Sequence, residues 1–129
     1  MKDYKKYYQI PATPDYVYRA LTNALTIQLW SGEPAEMSTE VGSEFSMWDG
    51  SIVGKNLAFE DDKMIKQQWY FGDQEAESIV TIKLHAAPQD GTSVELRHTN
   101  IPDEAYDDIV EGWDGAYFGA LREFYEEEE

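Results

Sequence analysis

The chain contains no cysteine, which removes disulfides, thiolate nucleophiles and cysteine-ligated zinc together. Histidine is almost as scarce, with only His85 and His98. No glycine-rich phosphate loop occurs, and no serine sits in a nucleophile elbow. Neither a catalytic metal nor a nucleotide cofactor is therefore expected. Long apolar runs are missing too. Nothing approaches the roughly 20 residues that span a bilayer, and the opening "MKDYKKYYQIPATP" has no apolar stretch of the signal-peptide kind. A soluble, cytoplasmic protein is the expectation.

Positive charge is the last shortage. Ten Lys and Arg face 26 Asp and Glu, a net charge of −16. Such a field repels phosphate backbones and lipid headgroups, so nucleic acid and membrane are poor partners. It favours a basic protein surface or a neutral ligand. The terminal "EEEE", residues 126–129, adds to the charge and reads as an acidic tail.

What is present is enough for a core. With 42% hydrophobic and 14% aromatic residues, the 129-residue chain falls in the class of globular single domains rather than disordered segments. "DYKKYYQI" reads as a first strand. "TPDYVYRALTNALTIQLW" reads as one helix, with Thr13 as N-cap, Pro14 at its first position and Asp15 against the dipole. Val17, Ala20, Leu21, Ala24 and Leu25 fall at helical spacing and define its buried face. Ser31, Gly32 and Pro34 stop it near Trp30.

Strands follow. "EPAEMST" is weak. "SEFSMWD" and "SIVGKNLAFE" are joined by Asp49-Gly50, a two-residue hairpin signal. Glu60-Asp61-Asp62 turns the chain into "KMIKQQWYF". "ESIVTIKLHA" and "TSVELRHT", separated by "PQDG", complete an antiparallel meander. From about Asp103 the period becomes helical, with Tyr106, Ile109, Val110, Trp113, Tyr117, Leu121 and Phe124 in one stripe up to about Tyr125. The pattern predicts an α+β domain with one face of the sheet covered.

Strand parity assigns the faces. Val80, Ile82 and Leu84 share one side, as do Val94, Leu96 and His98, and Ile65, Gln67, Trp69 and Phe71. His85 points the other way. Gln67 and His98 are thus polar groups on an apolar wall, and each needs a partner: a protein group, a trapped water or a ligand. Gly112, Gly115 and Gly119 interrupt the last helix, which implies close backbone packing or room left for a ligand.

Asp103, Glu104, Asp107, Asp108 and Glu111 cluster where that helix begins. Carboxylates at such spacings could surround calcium, but a solvated helix N-terminus explains them without a metal. His98 alone could act as a buried general base; a satisfied core histidine is the competing reading.

The segments "FSMWDGSIVGKNLAFEDDKMIKQQWYF", "SIVTIKL", "GTSVELRHTNIP" and "EGWDGAYFGALREFY" resemble the C-terminal domain of the activator of the ninety-kilodalton heat-shock chaperone ATPase. That domain is START-like, of the helix-grip (SRPBCC) superfamily, which includes polyketide cyclases. The resemblance runs from Tyr7 to Phe124 and is most specific at Phe45–Gly50, Gly54, Trp69 and Glu111-Gly112-Trp113. It implies a single domain over residues 1–129, in which a curved antiparallel sheet wraps a long C-terminal helix and short helices follow the first strand. It also implies a cavity between sheet and helix, lined by Gln67, Trp69, His98, Trp113 and Tyr117, with Tyr106 and Val110 on the same helix stripe. Two functions follow as expectations. One is a non-enzymatic, co-chaperone-like module that binds a chaperone or another basic protein surface. The other is a carrier or sensor of a small hydrophobic ligand, with a cyclase-like enzyme using His98 as a minor variant. The eukaryotic activator has an additional N-terminal domain that carries much of the chaperone stimulation, so binding rather than stimulation is what the resemblance implies here.

Overall fold

Alternating side chains become the two faces of one sheet. The computed structural model describes residues 1–48, 50–72 and 77–127. Its strands are β1 (Lys2–Ile10), β2 (Ala35–Glu36), β3 (Glu44–Met47), β4 (Ile52–Glu60), β5 (Met64–Trp69), β6 (Ser78–Ala87) and β7 (Gly91–Ile101). They lie in the order β1-β7-β6-β5-β4-β3-β2, each antiparallel to its neighbours. Strands β2 to β7 form the meander, and β1 returns to close on β7. The weak "EPAEMST" segment supplies the two-residue edge strand β2.

Parity holds throughout the centre. Ile65, Gln67, Trp69, Val80, Ile82, Leu84, Val94, Leu96 and His98 are buried, while Lys83, His85 and Arg97 are exposed on the opposite face. Phe71, beyond the end of β5, is only half-buried. At the β6–β7 turn Gln89 and Asp90 both have left-handed backbones, φ 62° and 58°, the conformation that matches the twist of a tight hairpin. At the β3–β4 turn Asp49 lies outside the described residues; its neighbours Trp48 and Gly50 have φ 53° and 89°. Gly54 is demanded by space. A Cβ there would run into the Gln68 carbonyl and stand 2.8 Å from the Phe45 ring.

The first helical region departs from the periodic reading. It is two helices, α1 (Pro14–Thr22) and α2 (Ala24–Ser31), because Asn23 takes an extended backbone and its side chain caps α2 by accepting from the Thr26 amide at 3.0 Å. The break resets the buried face. Val17, Ala20 and Leu21 stay inside, but Leu25 is 73% exposed, and Ile27 and Trp30 take the inward positions. Thr13 precedes α1 without capping it; its hydroxyl goes to the Asp15 carboxylate instead. Gly32, left-handed at φ 74°, ends α2 as expected.

The C-terminal helix is continuous but not uniform. After a short 3₁₀ turn at Asp103–Ala105 come α3 (Tyr106–Glu111), a π segment (Gly112–Tyr117) and α4 (Phe118–Glu127). The extra residue in the π turn places both Tyr117 and Phe118 against the sheet, 3% and 1% exposed. A simple stripe of period 3.6 carries Tyr117 and misses Phe118. No helix among the described residues is long and apolar enough to cross a membrane.

Candidate functional site

Gln67 and His98, the two polar residues expected on the covered face, each belong to a hydrogen-bond relay. On β5 the Trp69 indole N–H donates to Gln67 Oε1 at 3.1 Å, and Gln67 Nε2 donates to Asn56 Oδ1 at 3.1 Å. Asn56, fully buried on β4, passes its amide protons to the Ser38 carbonyl at 3.2 Å and Ser43 Oγ at 3.1 Å. Gln67 is therefore the link that satisfies a buried tryptophan and a buried asparagine.

His98 does the same for β7 and the helix. The Trp113 indole donates to His98 Nδ1 at 3.1 Å, which leaves the ring proton on Nε2 to donate to Ser78 Oγ at 2.8 Å. The Ser78 hydroxyl continues to the Thr99 carbonyl at 2.9 Å. Burial lowers the His98 pKa to about 4, so the ring is neutral at physiological pH. Neither nitrogen is free for proton transfer. Among the described residues no buried polar side-chain atom lacks a partner.

Above these relays the aromatic rings pack in order. Trp69 stacks on Trp113 with centroids 4.8 Å apart, Trp113 on Phe118 at 5.6 Å, and Phe118 on Tyr8 at 4.6 Å. Tyr117 stacks on Trp48 at 5.6 Å, and Trp30 meets both edge-on. These contacts support the left-handed backbone of Trp48, which a bulky residue adopts only under such constraint. On the far side Asp114 gathers Tyr8 Oη at 2.7 Å and Lys6 Nζ at 2.9 Å, tying the π segment to β1.

A cleft of about 340 Å³ opens between the β3–β4 hairpin and the C-terminal helix. Trp48, Ser51 and Ile52 form its hairpin wall, and Trp69 reaches it from β5. The helix contributes Asp108, Ile109, Gly112, Trp113, Ala116 and Tyr117. Of the seven residues singled out from the sequence, Trp69, Trp113 and Tyr117 meet at this cleft. Gln67 and His98 lie beneath it with their hydrogen bonds spent inside the protein, so they do not face the cleft as ligand-orienting groups. Tyr106 and Val110 are half-buried near the start of the helix and do not line it. Sequence reasoning missed Trp48 and Ile52 on the hairpin. It assigns Asp108 only to the acidic cluster, leaves Gly112 between close packing and room for a ligand, and does not single out Ala116, although spacings of four from Asp108 mark that helical face.

The acidic cluster remains solvent-facing. Asp103 pairs with the N-terminal amine at 2.8 Å, and among the described residues no three His, Asp or Glu side chains are placed to hold a metal ion.

Comparison with known proteins gives the same answer at the levels of sequence and fold. The model of the family described as "Activator of Hsp90 ATPase homolog 1-like protein" matches residues 11–126. The chain is 25% identical to the activator of 90 kDa heat shock protein ATPase homolog 1 of Mus musculus, over 114 residues that make up 88% of this chain and 34% of the mouse protein. It thus spans about one third of that relative's length. An HSP90 activator from Plasmodium falciparum has the same fold with a TM-score of 0.80 and 25% identity, over 88% of each chain. A protein from Mesorhizobium loti superposes with a TM-score of 0.84 at 23% identity over 99% of both chains, which shows the shared fold. With an α+β helix-grip architecture and a family match across nearly its whole length, the chain belongs to the Activator of Hsp90 ATPase homolog 1-like family.

Proposed function

We propose that the chain is a non-enzymatic, cytoplasmic protein-interaction module that binds a ninety-kilodalton heat-shock chaperone through its acidic helix side. The observation that carries this reading is the distribution of charge on a member of the activator family. Asp107, Asp108, Glu111, Glu123 and Glu126 are exposed along the C-terminal helix, where Arg122 is bound to Glu126 at 2.7 Å. That surface complements a basic partner and steers its approach. The engagement of both His98 nitrogens supports a module without catalytic chemistry. The test is capture of the chaperone of the same cell by immobilised protein at low salt. Saturable capture that fades as salt rises is expected, and absence of capture at low salt removes the reading.

The aromatic cleft favours a second reading, carriage of a small apolar ligand, since apolar walls with few polar groups describe a ligand pocket. Saturable quenching of tryptophan fluorescence by a neutral apolar compound, weakened in Trp113→Ala, is the outcome it requires. A flat titration with such compounds argues against it.

A further inference from the structure

The cleft and the acidic surface are one place, not two. Asp108 is both a lining residue of the cleft and an exposed carboxylate of the acidic helix. Among the described residues it makes no ion pair and no side-chain hydrogen bond, and no Lys or Arg lines the cleft. Next to it the walls are aromatic and aliphatic: Trp48, Ile52, Ile109 and Trp113. Gly112 leaves the space open, because a Cβ there would touch nothing within 4 Å. An occupant matched to such a site has an apolar body and a positive charge beside it, and a net charge of −16 disfavours an anion.

We infer that this cleft is the anchor pocket for a partner segment in which an apolar side chain is flanked by lysine or arginine. The inference rests on the protein-interaction reading and names the point of contact. The occupant is a polypeptide because the proposed function is protein interaction, and the exposed Asp108 carboxylate among the lining residues offers a cationic neighbour of the apolar anchor its counter-charge. Buried apolar anchors in pockets, ringed by polar contacts, are the usual source of affinity in such interfaces.

The experiment uses the full chain and three blocked pentapeptides with the cores Lys-Leu-Lys, Lys-Ala-Lys and Glu-Leu-Glu, followed by tryptophan fluorescence. The Lys-Leu-Lys peptide is expected to bind about tenfold more tightly than either of the others, the leucine preference reflecting burial of its extra methylenes. Gly112→Leu, which fills the pocket from a helical position with room for a side chain, should erase the difference between leucine and alanine. Asp108→Asn should narrow the difference between lysine and glutamate, whereas Glu123→Gln on α4 should not. Equal binding of the leucine and alanine peptides would reduce the site to bare charge attraction and overturn the inference, while leaving chaperone capture intact. Equal binding of the Glu-Leu-Glu peptide would overturn it as well. So would a small alkylamine that competes at the same concentration as the Lys-Leu-Lys peptide, since the site would then not be built for a chain. Loss of chaperone capture with retained peptide preference would instead count against the choice of partner.

Discussion

At the scale of single residues, the polar side chains under the helix explain themselves through what they hold. Gln67 and His98 each connect a tryptophan indole to a second buried polar group, so removing either strands two partners. Trp113→Ala should cost about 3–5 kcal/mol, from lost burial and the bare His98 Nδ1 it leaves. Urea unfolding reads this directly. A loss below 1 kcal/mol would mean that the ring is not core. His98 also sets a pH dependence. Its folded pKa of about 4 lies below the ordinary 6.5, with burial as the cause. The unfolded chain therefore takes up the proton first. The stability contributed by the neutral ring is complete above about pH 6.5 and is lost as pH falls towards 4, with about 2 kcal/mol gone by pH 5. Between pH 7 and pH 5, His98→Gln should lose about 2 kcal/mol less than the parent chain does. Parallel losses in the two proteins would show that His98 is not the titrating group.

At the scale of elements, the π segment decides which glycine is structural. A Cβ on Gly119 would run into the Asp114 carbonyl five residues back, whereas one on Gly112 or Gly115 would meet nothing within 4 Å. Gly119→Ala should therefore destabilise the chain, and Gly112→Ala and Gly115→Ala should stabilise it by up to about 1 kcal/mol each, through reduced freedom of the unfolded helix. Thermal unfolding of the three variants checks the ordering. Equal effects at all three positions would show that the helix is uniform. How much of this was legible follows from the range of each signal. Period two is local, so the inward sets on β5, β6 and β7 could be read residue by residue, and with them the burial of Gln67 and His98. The switch to helical period located the C-terminal helix for the same reason. A relay between Gln67 and Asn56, on neighbouring strands, depends on register, which a single strand does not display. The break at Asn23 carried a readable cue, an N-capping residue type inside an apolar stripe, but the stripe outweighed it. The π turn left no periodic signal beyond the misplaced Phe118. The left-handed Trp48, whose ring forms a wall of the cleft, depends on contacts with Tyr117 and Trp30 far along the chain.

At the scale of the whole molecule, the fold presents an acidic helix side whose apolar cleft lies between two of its elements, and this combination is what the proposed partner must match. Interactions of exposed charges decay over a Debye length, about 10 Å at 0.1 M salt, so their part of the binding is adjustable from outside while the apolar part is not. The most direct measurement is a calorimetric titration of the full chain with the ninety-kilodalton heat-shock chaperone of its own cell, at about 0.05 M and about 0.5 M salt. Saturable binding is expected at the lower salt, weakening at least tenfold at the higher and weakening further in Asp108→Asn. No heat of binding at the lower salt, or an affinity unchanged by salt and by Asp108→Asn, would contradict it.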